Sequence, residues 1–76
     1  MTFLFNGQSR DGEAGLTLHA LLLNEGYGVA GEQDQPVIRP GLAVALNEQV
    51  IPRSSWSQQP IVAGDKVELF QVIAGG

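Results

Sequence analysis

The sequence predicts an α+β domain in which one main helix crosses a mixed sheet of four to five strands, and three observations carry that prediction. The apolar strand Thr2-Phe3-Leu4-Phe5 runs into Asn6-Gly7, a dipeptide suited to the two positive φ angles of a type I′ hairpin. One stretch has helical period, with Leu18, Leu21 and Leu22 at i, i+3 and i+4. In the second half, Leu42, Val44 and Leu46, and then Val67 and Leu69, alternate with smaller or polar residues, the period of a strand with one buried face.

Each element follows in order. After the Asn-Gly turn a polar strand is expected from Gln8 to Glu13, lying at a sheet edge, with Phe3 and Phe5 on the buried face of its partner. The helix is expected over 18–25. Thr17 can cap its first turn, Gly26 supplies a left-handed C′ residue, and Leu16 can pack on Leu21 as a hydrophobic staple. Residues 27–40 carry two acids and two prolines without any period, so they read as a long connecting loop. Leu42 to Leu46 forms the next strand, followed by a turn at Asn47-Glu48-Gln49 and a short strand at Val50-Ile51 that Pro52 stops. Arg53-Ser54-Ser55-Trp56 suggests a brief helical turn. Gly64-Asp65 turns the chain into a final strand, Lys66 to Ile73. With this order the first and last strands meet as a parallel pair at the sheet centre, with the helix across one face. That is a β-grasp arrangement.

Composition narrows the function. The chain has 76 residues, read as a single domain over 1–76, and a chain of this size buries only about 60% of its unfolded surface. It has no cysteine and one histidine, which excludes disulfides, thiolate metal sites and cysteine nucleophiles, and leaves no basis for a zinc site. The formal charge is −4, and Arg10, Arg39, Arg53 and Lys66 are scattered singly, so no basic stripe offers itself to nucleic acid or to a membrane surface. Apolar runs are far shorter than the roughly 20 residues that cross a bilayer. The expectation is a soluble, cytoplasmic protein.

The last residues, Ala74-Gly75-Gly76, follow an apolar strand and carry almost no side chain. They form a thin thread whose one reactive group is the Gly76 carboxylate. Without Cβ atoms at Gly75 and Gly76, such a thread fits a narrow channel and adjusts its torsions freely.

The chain resembles the ThiS family of ubiquitin-like sulfur carriers of thiamine biosynthesis along nearly its whole length. The resemblance rests on Phe3-Leu4-Phe5-Asn6-Gly7 and on Leu46-Asn47-Glu48-Gln49-Val50-Ile51-Pro52-Arg53 with Trp56 three residues on. Gly64-Asp65-Lys66-Val67-Glu68 and the ending Val72-Ile73-Ala74-Gly75-Gly76 complete it. The 27–40 segment is longer than the family usually carries. The resemblance implies that Gly76 is the working residue. Its carboxylate would be adenylated by an E1-like, ThiF-like adenylyltransferase and converted to a thiocarboxylate, with sulfur from a donor such as a cysteine desulfurase. A ThiG-like thiazole synthase would then use that sulfur to build the thiazole ring of thiamine. The chain would be a protein co-substrate and not an enzyme, with no bound cofactor and no metal, ATP being used by the activating partner. Sulfur carriers of the same fold serve molybdopterin or tRNA thiolation, and ubiquitin-like modifiers share the Gly-Gly end. These are the competing readings.

A carrier also needs a surface for its partners. If Val67 and Leu69 face the helix, alternation turns Phe70 and Val72 to the open face beside the tail, where an aromatic residue suits an interface anchor. The remaining candidates have plainer readings. His19 is a surface residue with no acid or nucleophile placed beside it, Trp56 is a small satellite core under the 53–63 segment, and Arg53 binds either nearby carbonyls or an acidic partner. Asp11 and Glu13 are charges that discourage edge-to-edge pairing.

Overall fold

The computed structural model describes residues 1–72. Asn6 and Gly7 take φ angles of 50° and 80°, and this left-handed pair folds β1 (Thr2–Phe5) onto β2 (Gln8–Asp11) in antiparallel register, Phe5 opposite Gln8. The second strand ends at Asp11, so Glu13, expected inside it, lies beyond it. The peptide N–H of Gly12 still bonds the Met1 carbonyl at 2.9 Å, but Gly12 offers no side chain to pack.

Helix α1 (Leu18–Asn24) begins where Thr17 Oγ1 accepts the Ala20 N–H at 3.1 Å. It ends with Glu25 as C-cap, one residue before the expected boundary. There Gly26 adopts φ 94°, the Gly26 N–H bonds the Leu23 carbonyl at 3.2 Å, and the Tyr27 N–H reaches the Leu22 carbonyl at 3.0 Å. This pair of bonds is a Schellman motif, and it satisfies carbonyls that the helix itself leaves open.

Residues 27–40 are not an irregular loop. They form a second, two-stranded sheet of β3 (Gly28–Ala30) and β4 (Pro36–Ile38), with Val29 opposite Val37 and Ala30 opposite Pro36. A 3₁₀ turn at Glu32–Asp34 joins them, with Gln33 and Asp34 at φ 56° and 60°. Pro36 is tolerated because it opens an edge strand, where a missing N–H costs no central ladder bond. Ile38 at the far end of β4 is buried in the main core, which ties the hairpin to the body.

Strands β5 (Leu42–Leu46) and β6 (Gln49–Ile51) are joined through Asn47 and Glu48, again both left-handed, at φ 51° and 70°. A 3₁₀ segment follows over Arg53–Gln58, and β7 (Lys66–Gln71) closes the chain of elements. The main sheet has the order β2-β1-β7-β5-β6. Its central strand β7 runs parallel to β1 and antiparallel to β5, as the sequence predicts for a β-grasp fold. Phe3 and Phe5 from β1, Val44 from β5 and Val67 from β7 meet Leu18, Leu21 and Leu22 of α1 in one core. Trp56 belongs to that same core, 2% exposed, rather than to a satellite of it. Its indole N–H donates to the Ile51 carbonyl at 2.8 Å, which lets a polar atom enter apolar surroundings without an unmet bond. Among the described residues no helix is long and apolar enough to cross a membrane.

Candidate functional site

Every fully buried side chain among the described residues is apolar, and no group of three or more His, Cys, Asp or Glu side chains could hold a metal ion there. The site to examine is the end of β7 and the surface around it.

That strand is gripped by both asparagine turns. On the β1 side, the Asn6 N–H donates to the Val67 carbonyl at 2.9 Å and Asn6 Oδ1 accepts the Leu69 N–H at 2.8 Å. Its side chain thus continues the short parallel ladder after β1 has turned away. On the β5 side, the Asn47 N–H donates to the Lys66 carbonyl at 2.8 Å and Asn47 Oδ1 accepts the Lys66 N–H at 2.9 Å. A third grip lies at the far end, where the Val72 N–H donates to the Gly41 carbonyl at 2.7 Å. Gly41 has φ 82°, a conformation that favours glycine. The final strand, expected to run to Ile73, is described to Gln71, with Val72 held in this way beyond it. Ala74, Gly75 and Gly76 lie outside the described residues.

The side chains around this end alternate as expected. Val67 is fully buried, while Phe70 and Val72 are 49% and 58% exposed. Phe70 stands opposite Ala43, and Ala45 lies between Glu68 and Val50 in the register. Leu4, Val50, Phe70 and Val72 are exposed apolar side chains, and strand alternation puts them on the sheet face away from α1. Charge accompanies them: the Lys66 ammonium lies 3.7 Å from Glu48, and Glu68 flanks Phe70. A shallow depression of about 380 Å³ is lined by Asn6, Gly7, Lys66, Glu68 and Phe70. Another, of about 350 Å³, lies at the base of the tail between Arg39, Pro40, Gly41, Leu42, Gln71 and Val72.

The other sequence candidates separate from this site. His19 is half-buried on α1. Arg53 binds carbonyls: its Nη1 donates to Arg39 at 3.0 Å and its Nη2 to Ile38, and its guanidinium stacks 5.2 Å from the Trp56 ring centroid. Sequence reasoning left Arg53 open between nearby carbonyls and an acidic partner, and it missed the grip of Gly41 on Val72. The signal available for the latter was Pro40-Gly41, a turn dipeptide standing directly before a strand.

Comparison with known proteins converges on one family. The ThiS family model matches residues 3–76. The sulfur carrier protein ThiS of Escherichia coli is 42% identical over 76 residues, covering 100% of both chains. A thiazole synthase of Paramagnetospirillum magneticum is 34% identical over 76 residues, which are all of this chain but 20% of that protein. The crystal structure of the thiamine biosynthesis protein (ThiS) from Geobacter metallireducens superposes with a TM-score of 0.73 at 27% identity, covering 100% of both chains. The family match extends from Phe3 to Gly76. The chain belongs to the ThiS family.

Proposed function

We propose that this protein is a sulfur carrier of thiamine biosynthesis, and that Gly76 is the residue that carries the sulfur. The observation that bears most weight is the end-to-end identity with the Escherichia coli sulfur carrier. The thiazole synthase match supports the same pathway, because a protein of that name contains a stretch similar to this entire chain.

The chemistry follows from the carboxylate. Ionised at neutral pH, its oxygen attacks the α-phosphorus of ATP on an E1-like adenylyltransferase and pyrophosphate leaves. The resulting acyl adenylate is a mixed anhydride. A sulfur nucleophile from a donor such as a cysteine desulfurase adds at the carbonyl carbon and AMP departs, so one difficult substitution becomes two easier ones. With a persulfide as nucleophile the product is an acyl disulfide; a second thiol attacks its donor sulfur, forms a disulfide with it and releases the thiocarboxylate, which a thiazole synthase consumes. The chain contributes a substrate group, a thread of Ala74 and Gly75 that enters the partner, and a docking face in which Phe70 and Val72 are contact residues. Acid, base and metal chemistry belong to the partners.

Intact-mass measurement after incubation with the activating enzyme, ATP and a sulfur donor tests this reading. The expected result is a gain of about 16 Da, the exchange of one oxygen for sulfur. Absence of that gain, under conditions where the Escherichia coli carrier reacts, refutes it. Deleting Gly75 and Gly76 should abolish the gain.

A further inference from the structure

We propose that Arg53 is a positioning residue for the tail, acting through the 38–41 segment to fix where the chain leaves the sheet; the functional part of this inference rests on Gly76 being the sulfur-bearing residue. The Arg53 guanidinium makes no carboxylate pair among the described residues. Its hydrogen bonds go to two consecutive backbone carbonyls, Ile38 and Arg39, a use that matches the planar fork of arginine and that lysine cannot copy. One side of this clamp is rigid, because Arg53 stacks on Trp56, and Trp56 is buried in the core with its indole bonded to Ile51.

The other side of the clamp is the strand end that leads to the tail contact. Ile38 is buried and the Arg39 N–H bonds the Tyr27 carbonyl at 3.0 Å. Pro40 then restricts its own φ, and Gly41 turns left-handed at φ 82° to aim its carbonyl at the Val72 N–H, 2.7 Å away. That bond, just beyond β7, is the last backbone contact of the chain among the described residues, four positions before Gly76. A shift of the 38–41 segment moves the point from which the tail is aimed. Phe70 is unaffected by such a shift, since Asn6 and β5 hold the strand up to that residue.

The test uses amide hydrogen exchange by NMR on the whole protein, comparing the Val72 amide with those of Val44 and Val67, which report opening of the core. Arg53→Met keeps an apolar stem against Trp56 and removes both donors. Arg53→Lys keeps the charge. Loss of the clamp should speed Val72 exchange about tenfold in Arg53→Met, with Val44 and Val67 nearly unchanged and Arg53→Lys failing to restore protection. Val72 exchange at the wild-type rate, or rising only in step with Val44 and Val67, overturns the proposal. In the thiocarboxylation assay the same variant should lower kcat about tenfold with KM held, because docking is intact and aim is lost. A wild-type kcat in a variant whose Val72 exchanges fast also overturns it. Failure of the wild-type protein to react at all counts against the carrier reading instead, and Val72 exchange still decides the clamp.

Discussion

At the scale of single residues, the two asparagines do more than permit turns. Asn6 sits at φ 50°, where asparagine and aspartate are among the residues that tolerate left-handed backbone. Its side chain then occupies the place of a missing β1 residue by accepting the Leu69 N–H. Two costs should therefore separate by substitution. Asn6→Asp retains an acceptor and tolerance of the turn, and should change stability by no more than about 0.5 kcal/mol. Asn6→Ala loses the hydrogen bond and the polar side chain that lets asparagine tolerate positive φ, for about 2 kcal/mol in total. Urea unfolding with an unchanged slope would report this as a shift of midpoint alone. Equal stability of the two variants would mean that the Leu69 bond contributes nothing.

At the scale of elements, the helix shows how far sequence reasoning reaches. Thr17, Leu18, Leu21, Leu22 and Gly26 are local signals, readable within a window of ten residues, and the structure places each in the role expected. Thr17→Ala should cost about 1 kcal/mol, the usual value of an N-cap, seen as a lower thermal midpoint; a midpoint equal to wild type would show that the Ala20 N–H finds water as readily. The β3–β4 hairpin had no comparable signal. Its strands span only Gly28–Ala30 and Pro36–Ile38, too short to show alternation, and its turn puts Gln33 and Asp34, not glycine, at positive φ. What stabilises it is tertiary: Ile38 enters the core and Arg53 holds the carbonyls of Ile38 and Arg39. Neither contact can be read from 27–40 alone. The candidate site divides in the same way. The exposure of Phe70 and Val72 follows from strand period and was legible, whereas the Gly41 contact depends on how two distant segments align. Trp56 was misjudged as a satellite because the core it joins includes α1, which is remote from it in sequence.

At the scale of the whole molecule, the parallel pairing of β1 with β7 makes the last strand central, so the chain leaves the sheet from its most supported strand instead of from an edge. One face of that strand packs on the core. The other presents Phe70 and Val72 at the end of the strand, and an exposed aromatic there would give a docking partner both an anchor and a direction. If this face docks the activating enzyme, Phe70→Asp should leave the fold intact, since the ring is 49% exposed and its removal opens no cavity. Its thermal midpoint should stay within a few degrees of wild type. Binding should weaken by at least about 2 kcal/mol, roughly thirtyfold in Kd, the scale of an interface hot spot. Val62→Asp is the matched control, because Val62 is 58% exposed but lies just before the other end of β7. It should bind as wild type. Titration calorimetry against the activating enzyme separates the outcomes: equal weakening by both substitutions would assign the effect to added negative charge on an already acidic protein, and no weakening by Phe70→Asp would remove this face from the docking surface.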